Sequence, residues 1–182
     1  GHSVGAPFLV IATQNPIEQA GTYKLPEAQL DRFLIKTSLG YPDAKTAVAL
    51  LMESSTRARA SLVSPIIRPD SIVAMTALAA EVFVDESVMQ YLSDIVDATR
   101  KNRDVALGVS MRGAMALSRA IKTWAITQGR TYATPDDVRD LASAVLAHRL
   151  VLDPESEFAG VKAEDLVSRI LIDITPPTYR AA

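Results

Sequence analysis

The chain has 182 residues, 48% hydrophobic and 22% charged, with 19 Lys and Arg against 21 Asp and Glu for a formal net charge of −2. This is the composition of a globular chain with apolar side chains enough for a core, and it lacks the basic excess of a general nucleic-acid binder. With no cysteine, disulfide scaffolds, zinc–thiolate sites and cysteine nucleophiles are all excluded.

Residues Gly1-His2-Ser3-Val4 are neither basic nor followed by a signal-like apolar stretch, so the start reads as a chain already under way or as an added remnant. No run reaches the ~18 apolar residues of a membrane span, and a cytoplasmic location is expected. Phe8-Leu9-Val10-Ile11-Ala12-Thr13 is a continuous apolar run, the pattern of a strand buried on both faces of an α/β sheet. Gln14-Asn15-Pro16 ends it as a turn, and a polar loop follows over 16–25. Pro26 to Asp31 predicts a short helix, Phe33 to Leu39 a second strand, and Gly40-Tyr41-Pro42-Asp43 a turn.

Beyond residue 43 the pattern is helical. Helices are expected over 44–54 and 70–80, with an irregular stretch between them. From Glu86 to Lys101, residues Val88, Tyr91, Leu92, Ile95 and Val96 recur at helical spacing, and Ala114, Leu117, Ile121 and Trp124 repeat the pattern over 110–128. Trp124 on that stripe reads as core. Thr134-Pro135-Asp136-Asp137 is a helix start with a cap, an N1 proline and first-turn acids. That helix is expected to run to Arg149, with a last one over 163–172. The expected fold is therefore mainly α: about two strands and a short helix over 1–42, then an all-helical part over 43–182. Two strands do not make a stable sheet alone, which points to a piece of a larger α/β core.

Three residues stand out for chemistry. Asn15 follows the carboxyl end of the first strand, where open α/β sheets bind ligands, although Asn-Pro also simply makes a turn. Arg32 carries a planar fork suited to phosphate oxygens, against which stands a local ion pair with the adjacent Asp31. Arg112 lies in the first turn of a helix that Ser110 can cap; helix N–H groups with a nearby arginine make an anion site, and a solvated arginine is the plainer alternative. His2 and His148 have no second ligand at metal spacing, and His148 beside Arg149 reads as structural at a helix C-terminus. Glu27 and Asp31, at i and i+4, read as a solvated face rather than a metal site. No G-x-x-x-x-G-K-S/T stretch occurs in these residues to cradle phosphates, and no acidic pair follows a second hydrophobic strand to hold Mg²⁺.

The stretch FLVIATQNP, continued by IEQAGTYKLPEAQLDRFLIKTSLGYP, closely resembles the central part of MoxR-type AAA+ ATPases. GVSMRGAMALSRAIKTWAITQGRTYATPDDVRDLASAVLAHRL resembles that family's helical lid, and the likeness runs in order from about residue 7 to 155. It implies the end of an AAA+ nucleotide-binding core over 1–42 and a lid over 43–182. It assigns Asn15 to sensor 1, Arg32 to the arginine finger that reaches the neighbouring subunit's nucleotide, and Arg112 to sensor 2. Gly113 stands where the family often has Ala and Met111 where Pro is frequent, departures expected to loosen the start of that helix. The resemblance also implies ATP and Mg²⁺ in the intact protein, a ring, expected to be a hexamer, and chaperone-like action on clients and von Willebrand factor A-domain proteins. The chain alone, without the phosphate cradle, is expected to be inactive. The competing reading is a helical protein-binding adaptor with no ATPase role.

Overall fold

The computed structural model describes residues 5–14, 26–52 and 63–178. Eight α-helices are found among them: α1 Glu27–Leu30, α2 Ala44–Met52, α3 Pro69–Ala80, α4 Glu86–Lys101, α5 Met111–Thr127, α6 Pro135–Leu146, α7 Pro154–Phe158 and α8 Ala163–Asp173. The described sheet is a two-stranded antiparallel ladder, β1 Val105–Leu107 against β2 Val151–Leu152, pairing Val105 with Leu152 and Leu107 with Val151.

The core lies between α4, α5, α6 and α8. Helix α4 buries the five residues its periodicity predicts, Val88, Tyr91, Leu92, Ile95 and Val96. Asp85 caps it by accepting from the Ser87 N–H at 2.9 Å, and Arg100 and Lys101 sit at the negative end of its dipole. Helix α5 buries Ala114, Leu117 and Ile121 as expected, together with Ala116, Ala120 and Ala125. The alanines let α6 approach closely with Val138, Ala142, Val145 and Leu146, and α8 closes the core with Leu166, Val167 and Ile170. Each fully buried aliphatic side chain contributes about 1.5–3 kcal/mol.

Helix α6 opens on a capping box. Thr134 Oγ1 accepts from the Asp137 N–H at 3.4 Å and the Asp137 carboxylate accepts from the Thr134 N–H at 2.7 Å. Arg130 holds the same carboxylate with both arms, at 2.5 and 2.8 Å.

Several expectations change. Trp124 is only half-buried: its indole N–H donates to Asp140 Oδ2 at 3.4 Å, and the neighbouring alanines take the core positions. Helix α6 stops at Leu146, and the chain tightens into a 3₁₀ turn over Ala147–Arg149. The segments Phe8–Thr13 and Phe33–Leu39, expected as strands, form no ladder; Phe8, Leu9 and Ile11 are 70%, 79% and 82% exposed. A strand buried on both faces needs neighbours on both edges, and the described residues supply none. The second segment instead turns its backbone to the end of α6, where the Lys36 N–H donates to the Ala144 carbonyl at 3.0 Å.

Candidate functional site

The site grows from the loop that starts α5. Gly108 passes so close to α4 that a Cβ there would lie 2.7 Å from the Arg100 Cα, so only glycine fits. The next residue, Val109, is fully buried. Its N–H donates to Thr99 Oγ1 at 3.1 Å and its carbonyl accepts from Arg100 Nε at 2.9 Å. Ser110 Oγ then caps the helix, accepting from the Gly113 N–H at 3.3 Å. Three successive residues are thus fixed onto α4 or α5, and Arg112 leaves the first turn from a rigid base with its side chain 57% exposed.

Gly113 is packed into this start. It is buried, and a Cβ on it would lie 2.6 Å from Val109 Cγ1 and 2.8 Å from Arg149 Cδ. The missing methyl is the passage through which Arg149 crosses the helix start.

Arg149 and Arg112 meet on one carboxylate. Asp31 Oδ1 accepts from Arg149 Nε at 3.1 Å, Asp31 Oδ2 pairs with Arg112 Nη1 at 3.4 Å, and the Ser110 hydroxyl donates to Oδ1 at 3.4 Å. Arg149 also donates to the carbonyls of Asp31 at 3.2 Å, Phe33 at 2.7 Å, Leu34 at 3.3 Å, and Val145. The neighbouring His148 meets the Phe33 carbonyl through Nε2 at 3.1 Å. Burial pushes the Arg149 guanidinium below its ordinary pKa, Asp31 opposes that shift by its charge and its hydrogen bond, and Arg112 adds to it. Burial likewise lowers the His148 ring, which favours the neutral form that donates from Nε2.

Arg32 sits in the turn after α1, with its N–H donating to the Gln29 carbonyl at 3.1 Å. Its side chain is exposed and lines an open groove of about 630 Å³ with Phe8, Leu9, Val10, Ala28, Gln29, Phe33 and Leu34. Among the described residues its guanidinium makes no ion pair. The local pairing with Asp31 that would explain it away does not occur, because Arg112 and Arg149 hold that carboxylate.

The structure therefore joins Arg112 to the residue beside Arg32. Asn15 lies outside the described residues. Asp31 falls just past α1, with its carboxylate on Arg112 and Arg149, and among the described residues no cluster of three His, Asp or Glu side chains could hold a metal. Sequence reasoning passed over the Asp31–Arg149 pair. Its partners are 118 positions apart, and the one local signal was the adjacency of His148 and Arg149 at the end of a helix.

Comparison with known proteins finds matches to two stretches of the chain. Residues 97–170 match the AAA lid domain family, and residues 1–35 match the ATPase family associated with various cellular activities (AAA). The chain is 39% identical over 184 residues to the uncharacterized protein YeaC of Bacillus subtilis, taking in 100% of this chain and 58% of that protein. It is 34% identical over 185 residues to the chaperone MoxR1 of Mycobacterium tuberculosis, taking in 97% of this chain and 48% of that protein. A crystal structure of a candidate ATPase from Cytophaga hutchinsonii superposes with a TM-score of 0.85 at 31% identity, over 97% of this chain and 56% of that one. The chain spans about half the length of the curated relatives it matches.

Proposed function

We propose, for a chain that belongs to the MoxR-type AAA+ ATPases and carries their C-terminal portion, that it is the nucleotide-sensing half of an ATP-hydrolysing ring. In this reading residues 1–42 close the nucleotide-binding core and residues 43–182 form the lid. Arg32 is the arginine finger, acting on the nucleotide of the neighbouring subunit; Arg112 is sensor 2; and Asn15 is sensor 1. The observation that carries the proposal is the state of the two arginines. Arg32 is exposed and unpaired among the described residues, and Arg112 is an exposed guanidinium on a rigid helix start with one ion pair at 3.4 Å. Phosphoryl transfer needs positioned positive charge more than covalent help, and two such forks supply it.

ATP and Mg²⁺ belong to the whole ring. In this reading the part of this chain is to contact phosphate through Arg32 and Arg112. Bound Mg²⁺ neutralises charge developing on the phosphate oxygens. The chain's own arginines orient those oxygens and add positive charge opposite them. A ring, taken to be a hexamer, would pass the lid's response to client proteins in chaperone-like fashion, and von Willebrand factor A-domain proteins are candidate partners.

The test is ATP turnover in a full-length form carrying the phosphate cradle. Arg32→Ala abolishes turnover and leaves nucleotide binding within about twofold, as expected for a group that acts in trans on the transition state. Turnover at the normal rate would show that Arg32 is no finger. The 182-residue chain alone is expected to show none.

A further inference from the structure

We propose that Arg149 is a positioning residue for Arg32: a buried cation that clamps the backbone on both sides of the finger onto the end of α6 and leaves the finger's side chain exposed. The inference rests on the finger reading above.

Three observations carry it. First, Arg149 has no capacity left for a ligand. A guanidinium has five N–H donors, and here Nε goes to the Asp31 carboxylate, Nη2 to the Asp31 and Phe33 carbonyls, and Nη1 to the Leu34 and Val145 carbonyls. Its side chain is 2% exposed.

Second, its acceptors bracket one residue. The carbonyls of Asp31 and Phe33 flank Arg32, and both end on the same Nη2. His148 adds a second bond to the Phe33 carbonyl, and the Lys36 N–H anchors the segment further along at Ala144. The backbone around Arg32 is thus held from the α6 end, while the Arg32 side chain projects into an open groove. A group that must meet a phosphate on another subunit needs this combination, because a displacement of about 1 Å can lower a rate by about 10²-fold.

Third, the surroundings are shaped for a guanidinium. Gly113 leaves open the space through which the Arg149 chain runs, with a would-be Cβ 2.8 Å from Arg149 Cδ. Lysine would bring the charge with three donors on one point and could not reach carbonyls on two sides. A buried ion pair gives little net stability over a well-packed apolar pair, so a clamp built this way is better explained by the geometry it imposes than by the stability it adds.

The experiment compares full-length Arg149→Met, Arg149→Lys and Asp31→Asn proteins with Arg32→Ala, measuring kcat, KM for ATP and nucleotide affinity. Asp31→Asn removes the charge from the carboxylate side and keeps its shape, so it reports even if Arg149→Met fails to fold. In all three clamp variants kcat is expected to fall by about 10- to 10²-fold, with KM and nucleotide affinity within about twofold and no rescue by lysine. Rings mixed with subunits that cannot bind ATP but keep Arg32 and Arg149 should recover turnover on the variant subunits, since the donor supplies a well-placed finger in trans. A subunit that is merely misfolded would not be rescued. A normal kcat in Asp31→Asn and Arg149→Met beside an inactive Arg32→Ala overturns the clamp alone, as does a loss that donor subunits fail to restore. A normal rate in Arg32→Ala overturns the finger and the clamp together.

Discussion

Asp31 holds two guanidiniums on one carboxylate, that of Arg149 at 3.1 Å and that of Arg112 at 3.4 Å, yet the two contacts are unequal. Arg149 is 2% exposed and Arg112 57%, so water screens one pair and not the other. Removing Arg112 should change stability by less than about 1 kcal/mol, as for surface pairs in general. Asp31→Ala leaves a buried cation without its counter-charge and should cost about 3 kcal/mol. Urea denaturation of the two variants checks the contrast, and equal losses would mean that the Arg112 pair is as important as the buried one.

Gly108→Ala is expected to destabilise by about 2–3 kcal/mol or more, because the new methyl would meet the backbone of α4 at Arg100 and not a movable side-chain tip. Gly5→Ala, where nothing lies within 4 Å, is the control and should melt with the parent. Thermal unfolding followed by circular dichroism distinguishes them.

The Asp137 carboxylate should set part of the acid limit of the fold. Burial opposes its ionisation, but the Arg130 fork and the Thr134 donors outweigh it and hold the carboxyl below its usual 3.8. The unfolded chain, titrating near ~3.9, binds the proton more readily. The stabilisation is therefore complete above about pH 4 and is lost as pH falls through the folded value. Asp137→Asn should weaken the fold by about 2 kcal/mol or more at pH 7 through loss of charge and cap. Its stability should also vary less with pH below 4, as denaturation midpoints at pH 3 to 7 would show.

His148 gives a second, milder pH dependence. Burial lowers its ring below 6.5, with Arg149 and Lys36 pushing the same way and the Phe33 carbonyl opposing. The unfolded ring titrates near ~6.5, so in the window just below that value the unfolded state takes up more protons. Attachment of residues 33–36 is complete above that window and weakens as pH drops through the folded value. Amide exchange of Lys36, corrected for intrinsic rates, should quicken as pH falls below about 6.5, and His148→Gln should flatten the trend.

How much of this was readable beforehand depends on how local each feature is. The burial of Val88, Tyr91, Leu92, Ile95 and Val96 follows from spacing within one helix, and the Thr134 cap from four adjacent residues. The strands β1 and β2 are three and two residues long, too short to show a period, and so went unseen. Trp124 satisfied the stripe but not the packing: it stays half-buried with its indole on Asp140, and alanines take the buried positions of α5. Arg32 and Arg112 could be singled out by type and position. The Asp31–Arg149 contact that ties their neighbourhoods together is a long-range pairing that no local pattern encodes.

The run from Phe8 to Ile11 has a practical consequence. It is apolar, open to solvent and without a ladder partner among the described residues. Such a segment is a template for any chain that can lie beside it, including another copy of itself. Concentrated solutions of these 182 residues should therefore gain scattering mass with time, and a lysine at Val10 should slow that growth.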